Sequence, residues 1–108
     1  FWDGKQIRCF TYVKDVVRAM TRTQESDING EIFNVGNPNN KITILALAEK
    51  IIKVTDSESK ITLVDPREIY GPYYAEAWNK IPNIAKIRKI ARWKPRYNLD
   101  NMLKDMIK

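Results

Sequence analysis

An α/β fold, a small three-stranded sheet with helices packed against it, is what these 108 residues predict. Short runs rich in β-branched and aromatic residues recur at 6–13, 31–35 and 60–64. Apolar residues at helical spacing fill most of the stretches between and after them. With 44% hydrophobic and 10% aromatic residues, the chain has apolar surface enough for the core of one domain, residues 1–108.

In chain order, residues 1–4 end in the turn pair Asp3-Gly4, and QIRCFTYV (6–13) follows as the first strand. Asp15 leads Val16, Val17, Ala19 and Met20 into a helix over 15–23, its carboxylate read as the cap. Asn29-Gly30 turns the chain into a second strand at 31–35, which Gly36-Asn37-Pro38 stops. Thr43 then caps a helix whose Ile44, Leu47, Ala48 and Ile51 form one stripe. KITLV (60–64) is the third strand, closed by Asp65-Pro66. Residues 67–81 show no period and read as a long functional loop with Tyr70, Gly71, Pro72, Tyr73, Tyr74, Trp78, Asn79 and Lys80. Pro82 opens a helix to about Ala91, and Asn98 caps a last one carrying Leu99, Met102, Leu103, Met106 and Ile107.

Composition removes several chemistries. With no histidine, Ser-His-Asp and Cys-His catalysis and His-ligated metal sites are excluded within these residues, and no metal site is expected. Cys9 has no second cysteine to pair with, which points to a reducing, cytoplasmic setting. No apolar run approaches the length of a membrane span, so no membrane partner is expected. Glycines 4, 30, 36 and 71 stand singly, and no Gly-rich phosphate loop is present. Of the net charge of +6, residues 80–108 carry +7 and residues 1–79 carry −1. That asymmetry suggests either a solvated helix face or a polyanionic partner. A nucleic-acid-binding module would use Lys86, Lys89, Arg92, Lys94 and Arg96 beside Tyr97.

Four segments in order resemble one family. Residues 6–15 are similar to the QxRxFxYVxD segment of extended short-chain dehydrogenases/reductases acting on nucleotide sugars. Residues 30–37 are similar to their GexfNvGn strand, residues 43–51 to their TIxeLAexI helix, and residues 82–95 to their closing PdIxkarxxLgWxP signature. Within the family, the loop from Tyr70 to Pro82 is most similar to UDP-glucuronate decarboxylases.

The resemblance implies the C-terminal, substrate-binding part of an NAD-dependent epimerase, dehydratase or decarboxylase working on a UDP-sugar. The N-terminal Rossmann domain, with its Gly-rich loop and Tyr-x-x-x-Lys pair, would bind the NAD. This chain alone would bind none and would be inactive, and the parent would be an enzyme able to form a homodimer. Arg8 matches the arginine that contacts the substrate diphosphate, Tyr74 a loop tyrosine that packs on uracil, and Tyr73 offers the same ring chemistry. Lys80 stands where the family has an arginine, a phosphate contact and candidate proton donor; lysine keeps the charge and loses the bidentate fork. Asn83 replaces an aspartate, and Ala91-Arg92 replaces Leu-Gly. Trp78 is expected to anchor its loop, Trp93 and Pro95 to be structural, and Cys9 to be a buried, inert thiol facing away from Arg8.

Overall fold

The computed structural model describes residues 2–108. Phe1 of the predicted first turn lies outside them. Two strands, β1 (Ile7–Cys9) and β2 (Lys41–Thr43), pair in a two-stranded sheet. The flanking bonds Phe10 N–H to Asn40 O and Ile44 N–H to Gln6 O run in opposite numerical order, which makes the pair antiparallel. Among the described residues, five helices complete the α/β arrangement: α1 (Val13–Glu25), α2 (Ile44–Thr55), α3 (Arg67–Tyr70), α4 (Ala85–Ile90) and α5 (Leu99–Met106). The chain divides into two compact units, residues 1–8 with 42–80, and residues 9–41 with 81–108. Among the described residues, no helix is long and apolar enough to cross a membrane.

The unit formed by 9–41 and 81–108 holds a core of Ala19, Ile84, Ile87, Ala91 and Trp93, with partly buried Ile28 and Phe33 against it. Tyr12, Met102 and Leu103 are also buried here. Helix α1 starts at Val13, two residues before its predicted start, after an N-cap Tyr12 that makes no side-chain cap bond. Asp15 therefore does not cap it. The carboxylate is fully buried and accepts from Arg96 N–H at 3.0 Å on both oxygens, from Tyr97 N–H at 3.0 Å and from Arg18 Nη2 at 2.6 Å. Its backbone carbonyl accepts from Trp93 Nε1 at 3.1 Å. Asp15 thus holds the 93–97 segment, as an ion must when every lone pair has left water.

Asn83 Oδ1 accepts from Ala85 N–H at 3.0 Å and starts α4, three residues after Pro82. Asn98 caps α5 as predicted, accepting from Asn101 N–H at 2.8 Å. The predicted strand at 31–35 is absent. These residues make no backbone–backbone hydrogen bond among the described residues, and Ile32 is 84% exposed. Alternation makes a strand available, but only a neighbouring ladder makes it form. Val13, Val17 and Met20 of α1 are likewise exposed, at helical spacing.

In the unit formed by 1–8 and 42–80, Thr43 Oγ1 accepts from Ala46 N–H at 3.1 Å and caps α2, as predicted. Gly4 accepts Leu45 N–H on its carbonyl at φ +72°, and a Cβ there would lie 2.8 Å from Leu45 Cβ, so only glycine fits. The third strand is also absent: among the described residues, 60–64 make one backbone–backbone hydrogen bond outside helices and strands, Trp2 N–H to Val64 O at 2.9 Å. The predicted three-stranded sheet is therefore two-stranded, with β2 at 41–43 instead. The 67–81 loop contains one helical turn, α3, which Asp65 starts by accepting Arg67 N–H at 2.9 Å.

Candidate functional site

Arg8, Tyr74 and Lys80 all belong to the unit of residues 1–8 and 42–80. The chain brings the end of the 67–81 loop onto β1 through a parallel bridge between Ile7 and Asn79. Ile7 N–H donates to Trp78 O at 2.7 Å and Lys80 N–H to Ile7 O at 3.2 Å. Trp78 packs its ring tilted on Trp2 at 6.5 Å, the anchoring role expected of it.

Three acceptors organise Arg8. Its Nη1 donates to the carbonyls of Ile7 at 2.8 Å and Ala77 at 2.7 Å, and its Nη2 to Glu76 Oε1 at 2.5 Å. A guanidinium has five N–H groups, so about two remain for a ligand. The Glu76 side chain is only 6% exposed and the Arg8 side chain 23%. The other carboxylate oxygen, Oε2, accepts from the Tyr74 hydroxyl at 3.1 Å. Tyr74 in turn stacks on Tyr70, ring centroids 5.3 Å apart and 24° between planes.

Burial works to raise the Glu76 carboxyl, but the hydrogen bonds from Arg8 and Tyr74 and the charge of Arg8 outweigh it and hold the pKa below 4.5. Burial, then the bond to Glu76, pushes the Tyr74 hydroxyl up. The result is an anionic carboxylate gripping a cation on one side and a neutral phenol on the other.

Glu76 is the residue that sequence reasoning missed. A carboxylate two positions after Tyr74 is a weak cue, and its partner Arg8 is 68 residues away. Tyr73, the alternative stacking ring, is 97% exposed. The Lys80 side chain is exposed, and it makes no ion pair among the described residues. Cys9 is half-buried rather than buried, its Sγ 4.0 Å from Pro38 O. Burial raises its thiol pKa against a smaller lowering by Lys41, which suits an unreactive thiol.

Of the basic cluster, Lys86 is bound to Glu31 at 2.6 Å and lies over the Phe33 ring, and Tyr97 packs edge-on against Tyr12. A dinucleotide cradle does not fit these residues. Helix α1 follows Thr11-Tyr12 and α2 follows β2 through Thr43, so neither opens on a glycine turn after a strand.

A family model described as GDP-mannose 4,6 dehydratase matches residues 2–106. The chain belongs to that family. A UDP-N-acetyl-alpha-D-glucosaminuronate decarboxylase of Bacillus cytotoxicus is 36% identical over 107 residues, covering 99% of this chain and 33% of the relative. The structure of a UDP-glucose 4-epimerase from Thermotoga maritima, with UDP-glucose, matches at TM-score 0.77 and 29% identity, covering 99% of this chain and 32% of that one. A UDP-glucuronic acid 4-epimerase from Bacillus cereus, in complex with UDP-glucuronic acid and NAD, matches at TM-score 0.80 and 24% identity over 96% of this chain and 32% of that one. That likeness shows the fold alone, α/β with a small sheet and several helices. The chain spans about a third of the length of these relatives. Nothing in the comparisons supports the nucleic-acid alternative.

Proposed function

We propose that residues 1–108 are the substrate-binding, C-terminal part of an NAD-dependent enzyme that epimerises, dehydrates or decarboxylates a UDP-sugar, UDP-glucuronate being the substrate the loop favours. The diphosphate lies against Arg8, the uracil on Tyr74, and the Lys80 ammonium supplies a second positive charge. NAD is held by an N-terminal Rossmann domain outside this chain, and the chain alone does not turn over. The parent acts in the cytoplasm, which the single thiol favours, and as a homodimer.

The observation that carries this reading is the joining of Arg8 and Tyr74, 66 positions apart in sequence, through one carboxylate. A partly buried guanidinium with donors to spare beside an aromatic ring suits a nucleoside diphosphate. The relatives, which bear UDP-sugar names, support the same class of ligand. Lysine at position 80 keeps the positive charge and lacks the fork, which counts against decarboxylation, while the name of the relative at 36% identity counts for it.

Two measurements test the reading. The coding sequence upstream of Phe1 should specify a strand, a Gly-rich turn and a Tyr-x-x-x-Lys pair. UDP should bind the full-length protein, with affinity falling about tenfold on Arg8→Ala, the value of one charge-assisted contact. An unchanged Kd for Arg8→Ala overturns the assignment of Arg8.

A further inference from the structure

We propose that Glu76 is a positioning residue for the nucleotide site, holding the Arg8 guanidinium with one carboxylate oxygen and the Tyr74 hydroxyl with the other. The proposal rests on the UDP-sugar reading above, and it goes beyond it in naming what sets the two contacts relative to each other.

The geometry is specific. Glu76 Oε1 lies 2.5 Å from Arg8 Nη2 and Oε2 lies 3.1 Å from the Tyr74 hydroxyl, so both oxygens are used and on different partners. The side chain is 6% exposed, which removes the competing water that weakens surface ion pairs. Arg8 is also pinned by the carbonyls of Ile7 and Ala77, both on Nη1. Without Glu76, those two bonds fix one end of the fork and leave the Nη2 side free to swing. With it, the plane of the guanidinium is set, and so is the direction in which its remaining N–H groups point. The same carboxylate fixes the tyrosine, whose ring is backed by Tyr70 at 5.3 Å. A rigid carboxylate shared between a phosphate-binding cation and a base-stacking ring sets the separation between phosphate and base sites, a form of preorganisation.

A carboxylate beside a phosphate site carries a cost, because it repels the ligand's charge. The proposal therefore makes a signed statement: positioning outweighs repulsion. The test is a double-mutant cycle in the full-length protein, with UDP and uridine as titrants. Glu76→Gln keeps the shape and loses the charge and one acceptor. It is expected to weaken UDP binding about tenfold, as a lost contact to a charged group would. In an Arg8→Ala background the same substitution is expected to change the UDP Kd less than about twofold, since the group it acts through is gone. Uridine, which has no phosphate, should lose less than UDP on Glu76→Gln. A merely structural role predicts equal, additive losses in all of these.

Tighter or unchanged UDP binding by Glu76→Gln overturns the proposal, as does additivity with Arg8→Ala. Should Glu76→Gln unfold, Tyr74→Phe keeps the test alive: it removes only the hydroxyl contact and is expected to weaken uridine about twofold to threefold, with no change overturning the tyrosine half of the proposal. A wild-type protein that binds no UDP overturns the underlying reading and the proposal together, whereas wild-type binding with an unaffected Glu76→Gln overturns the proposal alone.

Discussion

Replacing Asp15 by asparagine tests the most heavily bonded side chain in the core-bearing unit. The carboxylate is fully buried and receives Arg96 N–H on both oxygens, Tyr97 N–H on one and Arg18 on the other. Asparagine offers one oxygen and one donating amide of nearly the same shape. Turned one way, it faces its NH₂ at the Tyr97 N–H; turned the other, at the Arg18 guanidinium. Either orientation sets donor against donor. One bond to a charged acceptor is lost, about 1.5–3 kcal/mol, and one buried donor is left without a partner, about 1–3 kcal/mol. The two losses overlap, so about 3 kcal/mol is expected, a large share of the roughly 5–15 kcal/mol that holds a domain together. For a domain of this size that lowers Tm by roughly 12–24 °C. Thermal and urea unfolding followed by circular dichroism read it, with Arg18→Ala as the companion, expected at about 1.5–3 kcal/mol as one lost bond to a charged group, its partner keeping the N–H groups of Arg96 and Tyr97. A Tm loss under about 4 °C for Asp15→Asn would show that the 93–97 segment is held without the carboxylate.

Thr43→Ala removes the α2 cap that accepts Ala46 N–H and should cost about 1 kcal/mol in urea unfolding. Arg92 sits at φ +51° just past α4, where the family pattern has glycine; Arg92→Gly should stabilise by about 0.5–1 kcal/mol, seen as a raised urea midpoint. Gly4→Ala should destabilise by more than about 1 kcal/mol, since φ is +72° and Leu45 Cβ is in the way. Glu76 has a folded pKa below its ordinary 4.5, so its contribution to stability is complete above that value and is lost as pH falls through the lower folded one. Tm measured downward from about pH 6 should therefore fall more steeply in the wild type than in Glu76→Gln.

The elements that were legible in the sequence are those made by local chemistry. Thr43 and Asn98 cap helices by reaching an N–H three residues on, so spacing alone reveals them. The strands predicted at 31–35 and 60–64 do not form for the opposite reason, since alternation says which faces a strand would have and not whether a partner will pair with it. Asp15 looked like a cap because a carboxylate in a first turn usually serves the helix dipole; its use by the N–H groups of Arg96 and Tyr97, some 80 residues later, is a tertiary fact. At the site, family likeness pointed to Arg8, Tyr74 and Lys80 one at a time. Glu76, which joins the first two, has no motif of its own and emerges only when the loop is folded onto β1.

The unpaired 31–35 segment has a bearing on how this chain behaves in a test tube. Its backbone donors and acceptors form no ladder, and Ile32 stands 84% exposed beside them, with Val35 also exposed. Lys86 Nζ takes the Ile32 carbonyl at 3.0 Å, but a run with no backbone ladder is still a template for any strand that meets it, including another copy of itself. Opposing that is the net charge of +6, which keeps copies apart. The repulsion reaches about 30 Å at 0.01 M ionic strength and about 10 Å at 0.1 M, while backbone hydrogen bonding between strands is hardly touched by ions. Salt, the usual remedy for a sticky basic protein, would thus act here as the trigger for association.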